Sequence, residues 1–226
     1  MKLDYVFLSK TELFAGTSPD EVKAMYSCFE SKIVEYRKKQ MIFKTGDTTD
    51  SLGIVISGSV NIENDDIWGN HSIISRIYPG QVFGETYACS PGRPFMVNAV
   101  ANEQTKVLFM NIGKVLGVCG SACEHHNTII KNLLIISAGK NLKMSQKMLH
   151  ITPKSIRGRL LSYFSSVSKE NGSYYITIPF NRQQLADYLL IDRSAMCSEL
   201  SKMQREGIIE YDKNTFRLIL VGRDSQ

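Results

Sequence analysis

Residues 179–207, PFNRQQLADYLLIDRSAMCSELSKMQREG, constrain the fold of this 226-residue chain more than any other stretch. Read with a helical period, Leu185, Ala186, Leu189 and Leu190 fall on one face of a first helix, and Met196, Leu200 and Met203 on one face of a second. The two short helices therefore share an apolar seam. Asn181 is placed to cap the first, Gln184 completes a capping box three residues on, and Phe180 stands where it can staple against Leu185. After Leu190-Ile191, Asp192 can accept from the unpaired amides that open the second helix. Opposite its seam the second helix exposes Arg193, Ser194, Cys197, Ser198, Ser201, Lys202 and Arg205, hydroxyls with flanking cations that suit groove edges and phosphates. This is the pattern of a helix-turn-helix, whose second helix lies in the major groove, although an ordinary helical hairpin shares the apolar spacing. Period-two runs at 207–211 and 216–220, around the turn Asp212-Lys213-Asn214, and alternation at Tyr174, Ile176 and Ile178 frame the pair as in a winged helix.

The charge distribution agrees. Residues 1–110 hold 11 Lys+Arg against 13 Asp+Glu, whereas the excess positive charge, +7, lies after residue 110. A basic end joined to a neutral or acidic end is what a DNA-binding module attached to a sensing module would show. A hydrophobic content of 43% is that of an ordinary globular protein, and no signal sequence or membrane-length apolar run is visible, so a cytoplasmic protein with no membrane partner is expected. Five cysteines without framework spacing fit a reducing compartment.

Residues 18–35 read as one helix opening at Ser18-Pro19, with Val22, Met25, Tyr26 and Phe29 on one side. From Ile33 to Met110 short apolar runs at 41–43, 52–56, 60–62, 71–77, 95–100 and 106–110 alternate with turn residues such as Gly46, Gly58, Pro79-Gly80 and Pro91-Gly92. Many short strands with glycine turns imply an antiparallel barrel or roll. After Gly113 the pattern is helical. Ile130, Leu134, Ser137, Asn141, Met144, Met148 and Ile151 alternate by four and three, a coiled-coil seam that asks for a partner helix, or else one face of a long helix packed on its own domain. Thr152-Pro153 breaks it, and Ile156, Leu160 and Phe164 start a new helix. The expected fold class is α+β, with domains at 1–110, 111–151 and 152–226.

In this order the residues resemble a known family. Ile42, Gly46-Asp47, Asp50, ISGSV within 54–60 and PGQVFGE at 79–85 look like the cyclic-nucleotide-binding β-roll, a double-stranded β-helix, of the cyclic-AMP receptor protein and FNR (Crp/Fnr) family. Ile156-Arg157-Gly158-Arg159-Leu160 resembles its post-hinge helix, and 181–209 its helix-turn-helix. The resemblance implies a homodimer closed through residues 130–151, a near-palindromic DNA operator, and contact with RNA polymerase. The DNA contacts expected are Arg182, Gln183, Arg193, Ser194, Cys197, Ser198, Lys202 and Arg205.

In that family the glycine loop cradles a cyclic phosphate, its Glu accepts from the ribose, and an Arg-Ser pair holds the phosphate. Gly84 and Glu85 are present, but the chain reads Arg93-Pro94-Phe95-Met96 where the pair belongs, and Met144-Ser145 replaces paired hydroxyls on the long helix. A buried phosphate needs a matched cation. Phe83, Gly84, Glu85, Tyr87, Phe95, Met96, Met144 and Ser145 are therefore expected to frame a mainly apolar pocket for an unknown small-molecule effector other than cyclic AMP. Arg93 is either a solvated loop residue or, after a loop shift, the missing cation, and Glu85 either a ligand group or a cap for loop amides. Cys119, Cys123, His125 and His126 have loose metal spacing, and Cys28 and Cys89 stand alone, so neither a metal nor another cofactor is expected. No P-loop, nucleophile elbow or paired carboxylate motif suggests catalytic residues. The competing reading is a small-molecule or thiol-redox sensor whose helix-turn-helix contacts protein.

Overall fold

The computed structural model describes residues 3–117 and 124–219. The chain divides into two compact units, Met1–Gly139 and Lys140–Gln226. That division falls inside the long helix.

The first unit opens with α1 (Tyr5–Ser9), capped by Asp4, and α2 (Pro19–Cys28), where Ser18 and Glu21 form a reciprocal capping box. The helix expected to reach residue 35 stops at Cys28. Glu30 takes a left-handed φ of 48°, and the Ser31 amide donates back to the Tyr26 carbonyl at 3.2 Å, closing the helix end. The β-branched and aromatic run Ile33, Val34, Tyr36 then extends as β1 (Lys32–Tyr36), where alternate side chains pack better than on a helix.

β2 (Met41–Phe43), β3 (Ser51–Ser57), β4 (Val60–Asp65), β5 (His71–Ile77), β6 (Val82–Phe83), the single-turn α3 (Glu85–Ala88), β7 (Asn98–Ala101), β8 (Thr105–Asn111) and α4 (Ile112–Leu116) complete the roll. Two four-stranded antiparallel sheets result, ordered β1-β8-β3-β6 and β2-β7-β4-β5. The expected run at 95–100 becomes strand only from Asn98, leaving Phe95 in the preceding loop. The period of two sorts β3 and β8 between two cores. Leu52, Ile54, Leu108 and Met110 meet α1, α2 and the start of the long helix, while Val55, Val107 and Phe109 join Val60, Phe83 and Ala99 between the sheets. The β3–β4 turn demands glycine, because Gly58 has φ 78° and a Cβ there would lie 2.4 Å from the Gln104 carbonyl oxygen.

α5 (Glu124–Ile151) runs through the dividing point, followed by α6 (Ile156–Asn171), β9 (Tyr175–Thr177), α7 (Arg182–Leu189), α8 (Arg193–Arg205), β10 (Ile209–Asp212) and β11 (Thr215–Leu218). β9, β10 and β11 form one antiparallel sheet with β11 central. Leu185, Ala186, Leu189, Met196, Leu200 and Met203, the seam read from sequence, are all buried together with Leu160, Phe164 and Phe216. Leu190, read with them, instead stands 61% exposed at the left-handed C-cap of α7.

Candidate functional site

α7 begins as its sequence requires. The Asn181 and Gln184 side chains exchange hydrogen bonds with each other's backbone amides, both at 2.9 Å. The Phe180 ring stacks on Tyr188 at 5.0 Å and packs against the core cluster that holds Leu185. Leu190, at φ 54°, reverses the chain with the Ile191 amide bonded to the Ala186 carbonyl. Asp192 caps α8 by accepting from the Ala195 amide at 2.8 Å and the Ser194 hydroxyl at 2.6 Å, contacts that hold its carboxyl below the usual range, Ser194 contributing most. The Ser194 hydroxyl, expected at the groove, is thus engaged with the cap.

Arg193, Ser194, Ser198, Lys202 and Arg205 are exposed along α8. Cys197 is half-buried against the core, and Ser201, read as outward, donates to the Cys197 carbonyl and lies 3.5 Å from the Tyr211 hydroxyl. Gln183 is exposed and its amide donates to Asp187. Arg182 behaves differently. Its guanidinium lies over the rings of Tyr211 and Phe216, 4.9 and 5.1 Å from their centroids, with Nη1 buried and unbonded. It ties the start of α7 to the wing sheet through cation–π contact. A cleft of about 450 Å³ opens beside it, lined by Asn181, Arg182, Gln183, Arg193, Lys213 and Asn214. Lys213 was legible only as a turn residue, and it enters this basic cleft because the β10–β11 turn places it there at φ 48°.

α6 braces the module in a way the sequence reading passed over. Arg159 Nη1 donates to the Leu189 and Leu190 carbonyls at 3.1 and 2.9 Å, satisfying the end of α7. Arg157 pairs with Glu199 and Glu206 of the recognition helix and its C-cap, and these contacts, that to Glu206 first, raise the guanidinium above its ordinary value. Arg157 thereby holds α8 and its C-cap, and Arg159 the end of α7, both from the first turn of α6.

In the roll, Gly84 has φ 75° and caps α3, with room for a Cβ only 3.4 Å from Phe43. Glu85 is buried at the first position of α3. Phe95 is buried, stacked on Phe43 at 4.6 Å and packed on Tyr87 at 4.1 Å, while Phe83 and Phe109 close on Phe43 at 6.2 and 5.7 Å. Met96, expected in the pocket lining, is 74% exposed, and Arg93 is exposed on its loop. Met144 and Ser145 stand exposed on α5, Ser145 donating to Asn141. A cavity of about 740 Å³ lies in this unit at the end of the roll, between β1 and the loops at 48–51 and 88–92.

Cys28 and Cys89 are exposed, and incomplete solvation together with the Glu85 carboxylate pushes the Cys89 thiol up, away from the reactive thiolate. His126 packs edge-on against Phe29, and His125 approaches Glu21 at 3.6 Å. Cys119 and Cys123 lie outside the described residues.

α5 carries two apolar faces. Ile129, Leu133 and Ile136 are buried in the first unit, whereas Leu134, Ile135, Leu142, Met148 and Leu149 are exposed. Of the expected seam, Leu134, Asn141, Met144 and Met148 are exposed and Ile130, Ser137 and Ile151 half-buried, and beside it Ile135, Leu142 and Leu149 recur every seven residues as a second exposed stripe. Among the described residues no helix is long and apolar enough to cross a membrane.

Comparison with known proteins places both halves. A cyclic nucleotide-binding domain family model matches residues 33–121, and a Crp-like helix-turn-helix domain model matches residues 158–224. A cyclic AMP receptor protein of Thermus thermophilus is 32% identical over 96 residues, 42% of this chain and 43% of that protein. A CRP-like cAMP-activated global transcriptional regulator of Mycobacterium tuberculosis is 20% identical over 210 residues, 91% of each chain. The solved structure of Thermus thermophilus catabolite activator protein superposes with a TM-score of 0.52 at 21% identity, covering 92% of this chain and 94% of its own.

Proposed function

From the premise that the chain belongs to the Crp/Fnr family of DNA-binding transcriptional regulators, we propose that it acts as a homodimer on a near-palindromic operator, and that its roll answers to an effector other than cyclic AMP. One observation carries the proposal about the effector. Phe95 occupies the position at which the family resemblance places the phosphate's arginine, and it is buried between Phe43 and Tyr87. A cyclic phosphate entering there meets aromatic carbon instead of a cation, and losing a charge-assisted pair costs a few kcal/mol, or about two decades of affinity. Calorimetric titration with cyclic AMP is expected to show no saturable binding at micromolar concentration. Saturable binding would return Arg93 to the site.

The DNA side rests on the exposed Arg193, Lys202 and Arg205 of α8 and on the basic cleft that Lys213 joins. Two such helices related by a twofold axis would address half-sites one DNA turn, about 34 Å, apart. Selection from random duplexes is expected to yield a palindromic site bound with a steep salt dependence. Enrichment of no sequence, together with salt-insensitive binding, would favour a helix-turn-helix that contacts protein. Contact with RNA polymerase enters here only through family membership.

A further inference from the structure

We propose that the cavity at the β1 end of the roll is the effector seat, and that it takes an organic anion with an aromatic or similarly bulky apolar body. The proposal rests on the reading of the roll as an effector-responsive domain and moves its ligand away from the glycine loop. Phe43, Phe83, Phe95 and Phe109 pack on one another, and at their end lies this cavity, whose volume of about 740 Å³ falls within the range of small-molecule sites.

Strand period and register build its walls. Lys32, Val34 and Tyr36 share one face of β1, and Lys32 is paired in register with Phe109 of β8, so that face continues onto Phe109. Phe43 lines the same space. The result is an apolar and aromatic floor with a cation at its rim.

Charge decides the ligand class. Asp50 is the carboxylate at the cavity, and both its oxygens are engaged, Oδ2 by the Asn111 amide at 2.9 Å and Oδ1 by the Ser51 hydroxyl at 2.8 Å. Lys32 has no ion-pair partner among the described residues. Neutral donors leave Asp50 charged but commit its oxygens, whereas the Lys32 ammonium is the charged group left to meet a ligand, and it favours an anionic head over a neutral or cationic one. The seat also has a route to the glycine loop. Phe43, which walls the cavity, stacks on Phe95; Phe95 packs on Tyr87 of α3; and the Phe95 backbone clamps Gly46 and Asp47 through two hydrogen bonds of 2.8 Å. A ligand pressing on Phe43 acts on the segment that carries Glu85.

The test uses the full chain and two isosteric probes, 2-naphthoate and neutral 2-naphthamide, followed by NMR titration. Saturable naphthoate binding is expected, with resonances of Tyr36, Phe43 and Phe109 moving first, and with roughly fivefold preference over naphthamide, the size of one partly solvated charge pair. Lys32→Met should abolish the preference, and Lys32→Arg should keep it. Equal affinity for the two probes, first shifts at Met96 and Glu85, or no saturation at millimolar naphthoate overturns the proposal. A gel-shift assay on selected DNA run beside it separates the two readings. Operator binding without naphthoate binding sinks the effector seat alone, whereas naphthoate binding without DNA binding supports the seat and sinks the regulator.

Discussion

Arg193 and Lys202 are both exposed on α8, yet their loss should read out differently. Arg193 stands at the first position of the helix and lines the cleft, where a planar guanidinium suits a bidentate base or phosphate contact. Arg193→Ala is expected to cost on the order of 1 to 3 kcal/mol on the selected operator and less on random DNA. Lys202, in the last turns of the helix, is an exposed point charge suited to a phosphate. Lys202→Ala should weaken all sequences alike and flatten the salt slope by about one unit. Fluorescence anisotropy at several salt concentrations distinguishes the two, and a sequence-independent loss from Arg193→Ala would remove it from base contact. At this scale the sequence was informative wherever the chemistry is local. Ser18, Asn181 and Asp192 cap as read, because a cap needs only the next three residues. Arg182 was opaque, because the rings that hold it arrive from β10 and β11, about thirty residues on.

Between elements, one buried histidine joins three helices. His150, 6% exposed in the last turn of α5, lies edge-on to Tyr163 of α6 at 5.4 Å, and its Nδ1 is 2.9 Å from the Tyr188 hydroxyl of α7. Lys147 sits over the Tyr188 ring, and burial pushes the Tyr163 hydroxyl up to about 12, so both phenols stay neutral. Burial also holds the imidazole below its ordinary value, with the Glu170 carboxylate opposing. The unfolded chain, titrating near 6.5, then binds more protons than the folded one as the solution acidifies. Stability from neutral His150 is complete above about pH 6.5 and is lost as pH falls from there toward the folded value. The thermal midpoint should drop between about pH 7 and 5, and His150→Phe should flatten that drop. An unchanged slope would show that other groups titrate there. Elements were legible where period and length agreed, as for α7 and α8. β1 was misread because Ile33 and Val34 continue the apolar spacing of α2, and only the left-handed Glu30 separates them. β6, two residues long, owes its existence to pairing with β3 rather than to any local pattern.

At the scale of the whole molecule, the roll was legible as a class but not in its pairings, since β1 meets β8 across about seventy residues and no single-chain pattern encodes such contacts. The long helix poses the same problem in another form. An amphipathic stripe does not say whether its partner is its own domain or another chain, and α5 has one stripe buried in the first unit and another left exposed. Its buried Ile129, Leu133 and Ile136 are committed to the first unit, which leaves Ile135, Leu142 and Leu149 in water at 59%, 66% and 68% exposure. Burying each such side chain against a second copy gains about 1.5 to 3 kcal/mol per residue, enough for a stable parallel pair once doubled by symmetry. A glutamate at the middle position would place two like charges at the twofold seam. Leu142→Glu is therefore expected to sediment as a monomer, and its operator affinity should fall by two decades or more because the half-sites are no longer bound as one unit. Lys143→Glu, one residue along and off the stripe, should sediment as a dimer. A dimeric Leu142→Glu protein would show that another surface closes the pair, and with it that the seven-residue stripe of α5 serves a different partner.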